Sequence, residues 1–244
     1  MKRIIYLAAL FFTIGLIRVQ AAVPHTLFSN LLKKHVSPAG NVNYKGFIQD
    51  STQLNQYLKL LSTHHPDNTW SRNDQLAYWI NAYNAYTIQL IIRNYPLKSI
   101  KDIGSLIKIP FINSPWDIKF IRIGSQTYDL NNIEHDILRT KFQEPRIHFA
   151  IVCASVSCPR LLNQAYEGAT VNVQLEAQAR SFINDPSRNK LSANQVQLSS
   201  IFNWFKGDFT KNGDLISFIN KYAKVKVNLN ARISYLDYNW NLNS

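Results

Sequence analysis

The segment from Ser71 to Asn94 constrains this chain more than any other, because it signals a helix at both ends and leaves almost no polar face between them. Ser71-x-x-Asp74 is an N-terminal capping pattern, and Pro96 stops the helix just past Asn94. Inside, Trp79, Asn81, Tyr83, Asn84 and Tyr86 set amide and phenol groups among apolar positions instead of gathering them on one side. A helix that is apolar nearly all round is a buried helix, so the rest of the fold has to be built around it. Buried amides need partners, and Asn81 and Asn84 are therefore expected to fasten neighbouring backbone.

The flanking sequence supplies both helices and strands. Amphipathic periodicity predicts helices over residues 25–35 and 45–62. Residues 120–123 and 127–130, joined by Gly124-Ser125, read as a β-hairpin. A helix over residues 132–140 follows, with Asn131 as N-cap and Glu134 as its capping partner. Residues 146–153 form an apolar, β-branched run expected to be a buried central strand, and Cys158-Pro159 is expected to open a helix through Leu162. Further helices are expected over 173–184, 200–205 and 215–223, and strands over 196–198 and 233–242. Helices and strands are mingled without regular alternation, which indicates an α+β fold. The expected arrangement is a single domain, with a helix-rich N-terminal part over residues 22–69 packed on a small mixed sheet within 70–244.

The first residues read differently. Lys2 and Arg3 are a positive start, residues 4–17 an apolar run of signal-peptide length, and Val19-Gln20-Ala21 a cleavage pattern, with Ala22 offering a second cut. Arg18 closes the run too early for a retained membrane span. Residues 1–21 are therefore expected to be a cleavable signal peptide, with no transmembrane segment after cleavage and export to the periplasm or beyond. Of 27 basic residues, Lys2, Arg3 and Arg18 fall in this leader, leaving 24 against 15 acidic, a net +9. That balance favours acidic or cell-envelope partners, but no recognised motif accompanies it to suggest nucleic acid. With 8 Gly and neither G-x-G-x-x-G nor G-x-x-x-x-G-K, no nucleotide cradle is expected, and no other cofactor is indicated.

Chemistry concentrates around Cys158. If Pro159 is the first residue of a helix, Cys158 is its N-cap, where unpaired N–H groups favour the thiolate. A nucleophile needs a base, and His148 and His135 are the nearest histidines in sequence. On a regular strand His148 and Cys153 would lie roughly 16 Å apart on opposite faces, whereas Cys158, beyond a loop, could turn back toward His148. The C-x-x-x-x-C spacing also allows a Cys153–Cys158 disulfide in an exported chain. A metal centre from His135, His148, Cys153 and Cys158 lacks the paired close spacing such sites use, so no metal is expected.

These residues carry a family resemblance. The chain resembles the bacterial and plant family called domain of unknown function 547 over Ala77-Tyr-Trp-Ile-Asn-Ala-Tyr-Asn84, Leu130-Asn-Asn-Ile-Glu-His135 with Ile137-Leu-Arg139, Arg146-Ile-His-Phe-Ala150 with Ser157-Cys-Pro159, Phe202-Asn-Trp204 with Asp208-Phe209, and Tyr238-Asn-Trp240-Asn-Leu-Asn243. The resemblance implies that Trp79, Asn81, Tyr83, Asn84, Glu134, His135, Arg139, His148, Cys158 and Pro159 belong to the family pattern, and that exported bacterial members are common. It implies no reaction.

Three functions are therefore weighed. One is a thiol-dependent hydrolase or transferase with Cys158 as nucleophile, His148 as base, and His135 or Glu134 in support. In this reading Trp79, Asn81, Tyr83, Asn84 and Arg139 shape the site. A second is a non-catalytic binding or scaffold domain of the cell envelope. Thiol redox exchange through Cys153 and Cys158 is the third, and it lacks the C-x-x-C arrangement that tunes such sites.

Overall fold

The computed structural model describes residues 22–104 and 114–244, so the expected signal peptide lies outside the described residues. The Ser71–Asn94 prediction holds. Helix α4 (Arg72–Arg93) starts where the Ser71 side chain accepts from the Asp74 N–H, and every residue from Leu76 to Ile91 is buried. Helices α1 (Thr26–His35), α2 (Tyr44–Gln49) and α3 (Ser51–Thr63) pack on one another, and α2 and α3 pack directly on α4. The expected single helix over 45–62 is thus broken in two at Asp50. Its carboxylate accepts from His35 Nε2 and Lys34 Nζ, each at 2.6 Å, which ties the break to the end of α1.

Strands β1 (Ile121–Ile123) and β2 (Gln126–Tyr128) form the expected antiparallel hairpin, with Gly124 at φ +59° supplying the left-handed turn. A second sheet joins β3 (Lys190–Leu191), β4 (Gln195–Leu198) and β5 (Arg232–Tyr235), antiparallel between β3 and β4 and parallel between β4 and β5. Helices α5 (Val171–Ile183), α6 (Ile201–Trp204), α7 (Lys206–Phe209) and α8 (Leu215–Asn220) complete an α+β fold. Two hydrophobic clusters result: a larger one around α4, and a smaller one of Phe149, Phe182, Phe202, Phe209, Phe218 and their neighbours. Among the described residues, no helix is long and apolar enough to cross a membrane.

Three local expectations are corrected. Residues 146–153 are not a strand: Pro145–Phe149 is a 3-10 helix, capped by the Glu144 carboxylate accepting from the Arg146 N–H at 3.1 Å. The hydrogen bonds that a neighbouring strand would have made to the following segment come instead from Asn84, which donates to the Ala150 carbonyl and accepts from the Val152 N–H, each at 2.9 Å. No helix opens at Pro159 either. The Cys158 carbonyl is taken by Arg188 Nε at 2.8 Å and the Arg160 carbonyl by Gln178 Nε2 at 2.9 Å, so neither is left to begin a helical ladder. Finally, the helix after the hairpin, Asn132–Phe142, is wound as a π-helix whose first turn is capped by Asp129, accepting from the Asn132 N–H at 2.6 Å. Asn131 donates to Asp117 rather than capping, which frees Glu134 from the capping role as well.

The expected strand over 233–242 pairs only as far as Tyr235. Beyond it the tail runs across to the cysteine loop, where Val156 N–H donates to the Asn241 carbonyl at 2.8 Å and Asn243 N–H to the Ala154 carbonyl at 3.2 Å.

Candidate active site

A cavity of about 190 Å³ lies at the seam between the two hydrophobic clusters. Helix α4 contributes Tyr83, the π-helix Glu134 and His135, the 3-10 helix His148, and the loop after it Cys153, Cys158 and Pro159. Trp204 and Phe205 from the end of α6, Tyr238 and Trp240 from the tail, and Trp116 close the remaining sides.

The cysteine loop is held from every direction. Asn84 fixes its entry through Ala150 and Val152, the tail pairs with residues 154–157, and Arg188 donates to the Val156 and Cys158 carbonyls at 2.9 and 2.8 Å from a guanidinium braced by Asp185. Ala154 sits at φ +62°, a left-handed conformation that costs a residue bearing a Cβ about 1 kcal/mol. Residues in such conformations cluster at functional sites. The turn so made brings the Cys158 sulfur under three donors: the Cys153 N–H at 3.0 Å, the Tyr238 hydroxyl at 3.2 Å and the Ser155 hydroxyl at 3.3 Å. Burial pushes the Tyr238 phenol up to about 12, so it keeps its proton.

In this structure the Cys153 and Cys158 sulfurs are joined as a disulfide, with 6.3 Å between their Cα atoms, and neither is a free thiol. Cys158 is buried at 2 % exposure, and it does not sit at a helix N-terminus. The helix-dipole argument for its ionisation therefore does not apply in this fold.

The histidines are organised by a carboxylate that sequence reasoning did not single out. Asp208 on α7 accepts from His148 Nε2 at 2.7 Å and from Arg139 through Nε at 2.6 Å and a terminal nitrogen at 3.1 Å. Arg139 also donates to His135 Nδ1 at 2.9 Å, and since a guanidinium cannot accept, that nitrogen carries a lone pair. His148 stacks on Phe205 with ring centroids 4.0 Å apart. Burial lowers the pKa of His148 against the opposing pull of Asp208, and burial with the Arg139 charge lowers that of His135. His148 is thus a neutral imidazole whose Nε2–H is committed to Asp208, leaving Nδ1 as the basic nitrogen. Among the described residues, no hydrogen bond joins Cys158 to His148, although both border the cavity.

Glu134 is buried beside the cavity and accepts from the Tyr83 hydroxyl at 3.2 Å. Burial raises its pKa to about 7. A carboxyl protonated in the fold but ionised in the unfolded chain makes stability fall as pH rises from its unfolded value near 4.5 to about 7, after which the loss is complete. Glu134→Gln removes that slope. Its stability relative to the parent protein is expected to improve by on the order of 3 kcal/mol between pH 4.5 and pH 8. Urea midpoints for the two proteins at both pH values check this, and parallel pH profiles would refute the buried neutral acid.

The other expected site residues divide. Tyr83 borders the cavity, and Arg139 acts through Asp208 and His135. Asn81 and Asn84 do fasten backbone as expected, Asn81 bridging the N–H and carbonyl of Tyr166 at 2.9 and 2.8 Å. Trp79 does not border the cavity, and its ring packs edge-on against Tyr78 and Tyr128. Asp208, Trp204, Tyr238 and Trp240 could have been found, since all fall in the segments that carried the family resemblance. Ser155, Arg188 and Trp116 had no sequence signal.

No curated protein and no solved structure matches the chain. Residues 68–183, which include Tyr83, Glu134, His135, Arg139, His148 and both cysteines, match the family described as "Protein of unknown function, DUF547".

Proposed function

We propose that the protein, once its disulfide is reduced, is a thiol-dependent hydrolase or transferase with Cys158 as nucleophile and His148 as base. Asp208 orients His148, while Glu134 and His135 support the reacting groups. The observation that carries this reading is the convergence of three hydrogen-bond donors on the Cys158 sulfur. A disulfide sulfur is a weak acceptor, whereas a thiolate is a strong one, and charge-assisted bonds are roughly twice as strong as neutral ones. The donors therefore suit the ionised, reduced form best.

An external dithiol gives two electrons and two protons to the Cys153–Cys158 bond and itself becomes a disulfide. Cys158 then gives its remaining proton to His148 Nδ1 and attacks an acyl carbonyl, and the imidazolium returns that proton to the leaving group as the thioester forms. Water or a second nucleophile releases the acyl group and regenerates the thiol.

The test is alkylation of the full chain with iodoacetamide at pH 7, read by peptide mass spectrometry. Without reductant no cysteine is labelled. After dithiothreitol, Cys158 is expected to react faster than an ordinary exposed thiol, and His148→Ala to slow it. Labelling no faster than that of free cysteine would overturn the proposal.

The disulfide itself favours a second reading, a non-catalytic binding or scaffold domain of the cell envelope in which the bond staples the loop. Cys158→Ala would then lower the melting temperature and leave ligand capture intact. Both readings include export, supported by the leader pattern of residues 1–21 and by the oxidising compartment in which disulfides persist. N-terminal sequencing of the mature chain should start at Ala22 or Val23, and a retained Met1 would exclude cleavage.

A further inference from the structure

Three of the chain's five tryptophans, Trp116, Trp204 and Trp240, border the cavity together with Tyr238. They form one connected cluster. Trp204 lies 4.7 Å from Tyr238 and 5.7 Å from Trp240, nearly parallel to the latter at 22°, and Trp116 meets Trp240 edge-on at 5.8 Å. Lys101 Nζ sits 3.6 Å over the Trp240 ring and so covers part of it. Trp204 stays 47 % exposed at the end of a four-residue helix. Large aromatic residues are ordinarily withdrawn from water, and a half-exposed Trp held rigid by two other rings at the mouth of a cavity is a stacking platform.

The geometry points to a gluco-configured pyranose ring of a glycan as the group that this cleft takes, its C–H face laid on Trp204. In the β-anomer of such a sugar every ring substituent is equatorial, so its faces present only C–H bonds to an aromatic surface while its hydroxyls project from the edge. The cavity offers groups for those hydroxyls in Asn131, His135 and Glu134. Its volume of about 190 Å³ suits one ring, being smaller than the roughly 300 Å³ at which sites for larger ligands begin. Neither of the other usual occupants of an aromatic cleft fits as well. A cation would need an anionic partner, yet among the described residues the one carboxyl bordering the cavity is held neutral by burial up to about pH 7, and the Lys101 ammonium already lies over the Trp240 ring. A single-stranded nucleic acid needs basic residues along its backbone track, and among the described residues no Lys or Arg borders the cavity.

This inference rests on the cavity being the functional site, and not on thiol chemistry, so the two fail separately. Cellotetraose and chitotetraose are titrated into the full-length, oxidised protein by calorimetry, alongside choline and an oligothymidylate. At least one of the two saccharides is expected to bind, with Trp204→Ala weakening it about tenfold or more and Trp204→Phe keeping most of the affinity. Unchanged circular dichroism spectra of both variants keep folding out of the comparison. Choline or oligothymidylate binding in place of the saccharides, or no binding by either saccharide at about 10 mM, overturns the inference. Iodoacetamide labelling of the same preparations after reduction reads the thiol proposal independently.

Discussion

Asn84→Ala is expected to lower the unfolding free energy by about 3 kcal/mol or more, one of the largest effects for any side chain in this protein. Asn84 is 3 % exposed, donates to the Ala150 carbonyl and accepts from the Val152 N–H. Alanine would strand both backbone groups in an apolar interior, and each orphaned group costs about 1–3 kcal/mol. For a chain of this size that is a fall of about 6–12 °C in melting temperature. Asn84→Asp does not rescue it, because a carboxylate cannot donate to the Ala150 carbonyl. The loss should also reach the site, since residues 150–152 lead straight into Cys153. Thermal denaturation followed by circular dichroism checks the prediction, and a change below about 1 kcal/mol would show that water or a shifted backbone satisfies both groups.

Asp208→Asn is expected to slow alkylation of Cys158 in the reduced protein by about a hundredfold, the lower end of what a positioned base contributes. One Asp208 oxygen takes both Arg139 Nε and His148 Nε2, and the other takes a second Arg139 nitrogen. An amide has a single acceptor oxygen, so at least one of these donors would face an NH₂ group. His148 would lose the partner that fixes its tautomer. Burial by itself would raise the Asp208 carboxyl, but hydrogen bonds from His148 and Arg139 overcome that and hold it well below the usual carboxylate range. The sign follows: the pairing stabilises the fold above the unfolded carboxyl value near 3.9 and is lost as pH falls below it. The variant should lack that acid-limb loss. Alkylation rates at pH 7 and acid titrations of the two proteins test both parts, and an unchanged rate would remove Asp208 and His148 from the thiol chemistry.

Both predictions turn on contacts with different histories in the sequence. Asn84 was legible because an amide inside an apolar helix has few alternatives: it must satisfy backbone, and it does. Its targets were not, because nothing in residues 146–153 says that their hydrogen bonds come from a side chain. An apolar, β-branched run is compatible with a central strand or with a buried irregular segment, and the structure gives a 3-10 helix and a loop. Glu134 shows the same ambiguity. Its spacing from Asn131 fitted a capping box, but Asp129 holds that end and the π winding leaves Glu134 beside the cavity. Cys158 was recognised for its position before Pro159, yet the donors around its sulfur come from a loop turn and a residue 80 positions away.

The sequence by itself determined the buried central helix, the hairpin, the α+β character and several of the side chains that border the cavity, Tyr83, Glu134, His135, His148 and Cys158 among them. These follow from local patterns of polarity, caps and turns, whose energies act within a few residues. Tertiary structure alone decided that Asp208 would join His148 to Arg139, that Arg188 and the tail would clamp the cysteine loop, and that three distant tryptophans would meet at one opening. Each of those is a pairing between residues far apart in the chain, and which partner satisfies a buried donor or ring face is settled by packing, where many partners of equal local propensity compete.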